Sequence, residues 1–462
     1  MIEQSRTQRA VKQGGFVAAN HMVGVFLALA TALVCSRTIG PRAFAVVALC
    51  GSISGVTRIV SRLGINAFLI TRVDSPTDRE YHVALGGMLF SSFGTAVIAG
   101  LLLPAIGRVS NVPNLLYPGL VTMSLLPFYV VSLPAMSRLE RNLEYRRITE
   151  VELSSQLLGC VVSIGLLLCG AGVWGLVVGW IVRALIIACL PWAFINMIPA
   201  AEWDGAMLYG MLQYGTRYSV ATSVDQLRNV LMLVIVGRVL GGDAVGLLEM
   251  SFRAVRWISP VRAAIGRVAV PAMAVMFESR DRVNGMLLEL IDVEILCSVP
   301  VTLAAVWAFP FCLRHILPAA WSPTIVVFPW LAAGSLLLAA HASVLNVLHI
   351  GGGFRSSVLC NLMSIAFLCG LVWLLGRRFG LEGCAAATVA VWPTLWVREW
   401  AAWKAMGTKW SRHGVAWALG GATACLTIRY GAGMLVPAGA IILLTQRVIR
   451  NRAQLVLASY KA

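Results

Sequence analysis

Charge is thin in this chain and acid is scarce: 20 Asp and Glu stand against 37 Lys and Arg among 462 residues, and only 12% of positions are charged while 59% are hydrophobic. A soluble protein of this length needs far more charge to cover its surface, so a water-soluble globular fold is excluded. The apolar stretches lack alternation at period 2, which excludes a membrane β-barrel. The 11 cysteines form no CxxC and no Cys/His cluster, so neither a disulfide framework nor a zinc site is indicated. Catalytic grammar is missing too. There is no GxSxG, no Walker motif, no HExxH and no acidic loop cluster of glycosyltransferase type, which points away from an enzyme and from any cofactor or metal.

What remains is a succession of apolar runs, each about 18 to 25 residues long, the length that crosses a bilayer core of about 30 Å. Mean hydropathy is +0.81. The expected fold is all-α and polytopic, with about 14 spans beginning near residues 15, 43, 81, 115, 150, 173, 212, 243, 286, 324, 356, 382, 414 and 432. Net charge is +17. In a membrane chain that surplus belongs to cytoplasmic loops facing anionic lipid, and it gives no reason to invoke nucleic acid. With the N-terminus placed in the cytoplasm, inside segments hold 19 of the 37 Lys and Arg and outside segments hold 8. The positive-inside rule therefore puts both termini in the cytoplasm.

The chain also repeats itself. SRTIGPRAFAVVA at 36–48 is echoed by GRVLGGDAVGLLE at 237–249, so that Arg37, Gly40 and Ala43 fall on Arg238, Gly241 and Ala244 at an offset of 201. A second pair of turns, GVWG at 172–175 and GLEG at 380–383, follows at an offset of 208. Two punctuation marks in the same order predict a duplicated six-span unit, a pattern found among transporters. The expected division is a bundle over 1–200, a second over 201–404, and two further spans with a basic tail over 405–462.

Candidate functional residues are charges within the spans. An ionisable side chain at mid-membrane costs at least about 2.5 kcal/mol and should face a cavity or a partner. The ten such cations are all arginine: Arg58, Arg62, Arg183, Arg217, Arg228, Arg253, Arg256, Arg262, Arg267 and Arg398. Guanidinium forks suit phosphate and carboxylate and keep their charge when desolvated. Arg58, Arg62, Arg262, Arg267 and Arg398 lie toward span ends, where snorkelling accounts for them. Arg183, Arg217, Arg228, Arg253 and Arg256 are the substrate-binding candidates, with Arg217 nearer an end than the rest. At 100° per residue Glu249, Arg253, Arg256 and Arg267 fall within about 40° of one stripe. Asp225 and Glu249 are candidates for ion coupling, and equally for neutralising neighbouring arginines.

Four stretches together resemble a family: RTIGPRAFAVVAL at 37–49, SRLGINAFLITR at 61–72, RLERNLEYRRITEVELSSQLLGCVVSIGLLLCGAGVWGLVVG at 138–179, and YGTRYSVATSVDQLRNVLMLVIVGRVLGGDAVGLLEMSFR at 214–253. The chain is similar to bacterial oligosaccharide (O-antigen) flippases of the multidrug/oligosaccharidyl-lipid/polysaccharide exporter superfamily. The resemblance implies two six-helix bundles around a cationic cavity, in the inner membrane. It implies alternating access that moves an undecaprenyl-diphosphate-linked glycan to the periplasmic leaflet, beside a polysaccharide polymerase and a chain-length regulator. Members often carry an acid in span 7 shortly before the GR of the outer turn, where this chain has Met232. A peptidoglycan-precursor flippase and a multidrug/cation antiporter of the same superfamily stay open as alternatives. A membrane-embedded polymerase or ligase would need a large periplasmic loop, which this sequence lacks.

Overall fold

The computed structural model describes residues 23–71, 74–258, 280–350, 354–408 and 411–430. Those residues are helical almost throughout, and none of them lies in a strand. The chain is an all-α, multi-pass membrane protein. Among the described residues nine segments are long and apolar enough to cross a membrane, one of them Arg355–Lys404, which spans 50 residues and is broken at Gly380. Packing divides the chain into two compact units, Met1–Glu249 and Met250–Ala462.

The first unit holds α1 (Val23–Thr38), α2 (Pro41–Arg62), α3 (Ile65–Thr71), α4 (Asp78–Val109), α5 (Leu116–Ser124), α6 (Leu126–Arg141), α7 (Tyr145–Leu168), α8 (Val173–Ile195), α9 (Gly205–Leu240) and the start of α10 (Gly242–Ile258). The second holds the rest of α10, then α11 (Arg280–Ile316), α12 (Thr324–Ile350), α13 (Phe354–Ala390), α14 (Trp392–Met406) and α15 (Arg412–Tyr430). Most of the expected span starts lie close to the beginning of an element; the first, near 15, lies outside the described residues, and that near 382 falls within α13, just after its break at Gly380. The last expected span, from about 432, lies outside the described residues, as do the N-terminal basic segment and the C-terminal tail.

Local chemistry sets the ends of these helices. Pro41 sits in the first turn of α2, where its missing N–H costs nothing. Thr77 and Glu80 form a reciprocal capping box at the start of α4, with Thr77 N donating to Glu80 Oε2 at 2.7 Å. Asp204 caps α9 through Met207 N at 3.1 Å and also accepts from Arg79 Nη2 at 3.2 Å. Arg141, from the basic stretch at 138–147, donates to the carbonyls of Leu69, Ile70 and Asp74, and Arg138 pairs with Asp78 at 2.7 Å. Those arginines tie helix ends together instead of pointing only at lipid headgroups.

Without a hydrophobic force between helices in lipid, close backbone approach and buried polar contacts hold a bundle together. Glycine supplies the approach. A Cβ on Gly64 would strike the backbone of Gly215, and one on Gly246 would strike the carbonyl of Pro41. Gly237 lies equally tight against Ser110, whose neighbour Asn111 donates Nδ2–H to the Gly237 carbonyl at 3.0 Å. Thus α9 is built into the first unit, packed on α2, α3 and α4. The two echoing turns, at 36–48 and 237–249, touch each other there. The outward faces are apolar, with Phe90, Phe93, Leu101, Val161 and Trp307 among the exposed side chains.

The second pair of matching turns has matching backbones. Gly172 has φ 57° and ψ −133°, and Gly380 has φ 62° and ψ −141°. In each hairpin the glycine three residues on, Gly175 or Gly383, presses against the helix just before it: a Cβ on Gly175 would meet Leu166 and Leu167, and one on Gly383 would meet Leu375. A non-glycine residue pays for this left-handed geometry.

Gly64 offers a direct test, because it combines φ 68° with a backbone neighbour. Gly64→Ala should lose about 1–3 kcal/mol of stability through strain and overpacking. Gly94→Ala, where a Cβ meets nothing within 4 Å, should be neutral or slightly stabilising. Thermal unfolding of the two purified variants in detergent measures the difference.

Candidate functional site

In the first unit the arginines gather where α2, α6 and α8 meet. Arg183 lies on α8, whose small residues let it pack on α7. A Cβ on Gly179 would collide with Ser163, and one on Gly159 would come within 3.2 Å of the Arg183 Cβ. Arg183 is half-buried, and its Nε is buried with no hydrogen-bond acceptor among the described residues. A buried donor left unmade costs about 1–3 kcal/mol, and more on a charged group. An anion or an ordered water is the chemistry that would complete it.

A second cation, Arg58 of α2, acts on Arg183 electrostatically. The two guanidinium groups lie within Coulombic range of each other, together with Arg62. Arg58 does not simply snorkel toward a span end as the sequence suggested. It is half-buried, and its guanidinium carbon sits 4.2 Å from the centroid of the Tyr129 ring on α6. The ring face offsets part of one positive charge. The sequence held a signal for this. Arg58 and Arg62 are a like-charged i, i+4 pair, which a helix does not favour without compensation.

α9 runs alongside α2, with Ser219 Oγ donating to the Ile59 carbonyl at 3.0 Å and Gln226 beside Gly55. On this helix Asp225 and Arg228 are both half-buried. Arg217 is helical, and its side chain lies outside the described residues. Met232, at the level where the resembling family often has an acid, is 4% exposed and belongs to the apolar core.

Along α10 exposure rises in steps: Glu249 is buried, Arg253 half-buried and Arg256 exposed. Glu249 closes the first unit, whereas Arg253 and Arg256 belong to the second. Arg262 and Arg267, which would extend the stripe, lie outside the described residues. Arg398 was likewise assigned to snorkelling, but it is 3% exposed and donates Nη2–H to Asn361 Oδ1 at 2.7 Å. Among the described residues no three His, Cys, Asp or Glu side chains cluster as a metal set.

The Arg58–Tyr129 contact makes a measurable claim. A double-mutant cycle with Arg58→Gln and Tyr129→Leu, read by thermal unfolding, should return a coupling of about 0.5–2 kcal/mol. A coupling of zero would mean that the ring carries none of the charge.

Comparison with known proteins follows this geometry. The family model described as "Polysaccharide biosynthesis protein" matches residues 34–326. No curated protein sequence matches significantly. Among solved structures, the chain is similar to the lipid II flippase MurJ in an inward closed conformation, with a TM-score of 0.70 at 11% identity, covering 95% of this chain and 99% of that one. It is similar to an inward-facing multidrug resistance MATE family transporter of the MOP superfamily, with a TM-score of 0.62 at 14% identity, covering 88% and 96%. A MOP superfamily transporter from Pyrococcus furiosus, described as having a binding pocket of reverse polarity, aligns with a TM-score of 0.54 at 14% identity over 90% and 96%. At these identities the likeness establishes the fold.

Proposed function

The chain belongs to the polysaccharide biosynthesis protein family, and from that premise we propose that it is a flippase which moves an undecaprenyl-diphosphate-linked oligosaccharide across the bacterial inner membrane. The observation that carries this reading is the buried, acceptor-less Nε of Arg183 beside Arg58. Two guanidinium groups within Coulombic range in a membrane bundle suit a ligand with concentrated negative charge and several acceptor oxygens, which describes a diphosphate. Desolvating a diphosphate is expensive, and cations facing a wet cavity reduce that cost. The prenyl tail can stay in lipid throughout.

On this reading Arg183, Arg217 and Arg228 of the first unit, and Arg253 and Arg256 of the second, are the substrate-binding residues, and alternating access exposes the substrate to one leaflet at a time. Asp225 and Glu249 are then the carboxylates available for ion coupling. The repeat halves are 1–200 and 201–404, followed by two extra spans over 405–462. Both termini face the cytoplasm, on the distribution of Lys and Arg. The protein transports and does not catalyse, so its partners are membrane lipids, the lipid-linked glycan and, downstream, a polymerase and a chain-length regulator. A multidrug cation substrate fits poorly with the surplus of arginine over acid. A peptidoglycan precursor shares the diphosphate chemistry, and the family match favours a polysaccharide repeat unit over it.

Undecaprenyl diphosphate added to the protein in lipid nanodiscs tests the binding step. Arg183→Gln should weaken its affinity about 10-fold or more, the worth of a charge-assisted hydrogen bond. Unchanged affinity would remove Arg183 from the site. In cells, Arg253→Ala and Arg256→Ala should abolish surface glycan while the protein stays folded in the membrane, and full display in both would defeat the substrate-binding role of these two residues.

A further inference from the structure

The second unit contains a buried acid–base pair that none of the preceding roles uses. His341 on α12 is completely buried, and its Nδ1 lies 2.9 Å from Glu399 Oε1 on α14. Glu399 is 8% exposed. On the other side of the ring, Trp392 Nε1 donates to His341 Nε2 at 3.2 Å, and Trp396 meets the imidazole edge-on at 5.4 Å between centroids.

These contacts fix the proton inventory. An indole N–H can only donate, so Nε2 must be the bare, accepting nitrogen of the ring. The ring proton is therefore on Nδ1, where it is donated to the Glu399 carboxylate. One basic lone pair remains on the ring, and Trp392 occupies it. Adding a proton at Nε2 converts neutral imidazole to imidazolium beside carboxylate and forces the indole N–H to turn away. Proton binding at Nε2 and a side-chain rearrangement are thus the same event.

The pair also sits at depth. His341 is nine residues from the end of α12 at Ile350, and Glu399 is seven from the end of α14 at Met406. At 1.5 Å per residue both lie about 10–14 Å in from those helix ends. A buried ionisable pair on membrane-spanning helices is a candidate for a proton or ion path.

α12 packs against α11, α13, α14 and α15. On α14, Arg398 bonds Asn361 of α13 and lies within Coulombic range of Cys360. Glu382 of α13 accepts from Trp330 at 3.0 Å, eleven residues before His341, and Asp292 of α11 accepts from Ser411 at 2.6 Å. Glu294 of α11 is buried, and the side chains of Arg412 and Arg429 on α15 lie outside the described residues.

We propose that His341 and Glu399 form a membrane-buried proton-binding site whose occupancy is reported by the Trp392 hydrogen bond. Water supplies the proton, Nε2 takes it, and the pair goes from one net negative charge to neutral. That this proton drives transport rests on the flippase reading, whereas the existence of the site does not.

Nitrogen NMR of histidine-labelled protein in lipid nanodiscs, followed from alkaline to acidic pH over the range in which the protein stays folded, tests the site directly. At the upper end His341 should show a protonated Nδ1 and a bare Nε2. At the lower end both nitrogens should be imidazolium-like, and the Trp392 indole resonance should move with the same midpoint. His341→Gln identifies the signal by its loss. If that variant does not accumulate, Trp392→Phe identifies it by perturbing the ring it bonds. A ring protonated on Nε2 at the upper end, or nitrogen signals unchanged over the whole range, would overturn the proposal. Failure of diphosphate binding with the titration intact would count against the flippase reading and leave the proton site standing. A silent His341 in a protein that still moves glycan would do the reverse.

Discussion

A guanidinium group placed inside a bilayer must be met by something, because hydrocarbon offers it neither water nor counterion. Much of this molecule can be read as the different ways in which that demand is met. Arg138 and Arg141, at helix ends, are absorbed by an aspartate and by free carbonyls, and in doing so they fasten one helix terminus to the next. Arg58 is met by the face of Tyr129. Arg398 is met in part by an asparagine oxygen. At Arg183, as at Arg398, the Nε finds no acceptor among the described residues. What singles out Arg183 is that a second guanidinium, Arg58, lies within its Coulombic range.

The scaffold was largely legible in the sequence, for a physical reason. Membrane spans announce themselves by continuous apolar runs of fixed length, and their turns by glycine and proline, so element existence and order follow from local composition alone. The match between GVWG and GLEG proved more than verbal, since Gly172 and Gly380 adopt nearly the same left-handed backbone. The site was less legible. Distance from a span end put Arg58 and Arg398 with the snorkelling residues, yet both turn inward, because whether a long side chain reaches water or folds back depends on a partner from another helix. Tyr129 and Asn361 are those partners, 71 and 37 positions away. Sequence spacing has no access to contacts of that range. His341 was hidden for the same reason: one histidine in an apolar run reveals neither Glu399 nor Trp392.

The echo between residues 36–48 and 237–249 carries a further consequence. Repetition in sequence invites the assumption that each copy serves its own half. Here the carbonyl of Pro41 rests against Gly246, and Asn111 bonds Gly237, so the second copy packs on the first. At the opposite end of α9 Gly215 meets Gly64 just as closely. Small residues hold α9 to the end of α2 at Gly215 and to the end of α4 at Gly237, and any side chain larger than hydrogen at these points would force the backbones apart. The two tasks fall to different glycines. Gly40 and Gly241, aligned in the two turns, serve the reversals, where a Cβ would meet nothing within 4 Å, whereas Gly246 gives the following helix a surface flat enough to be packed against its own sequence relative.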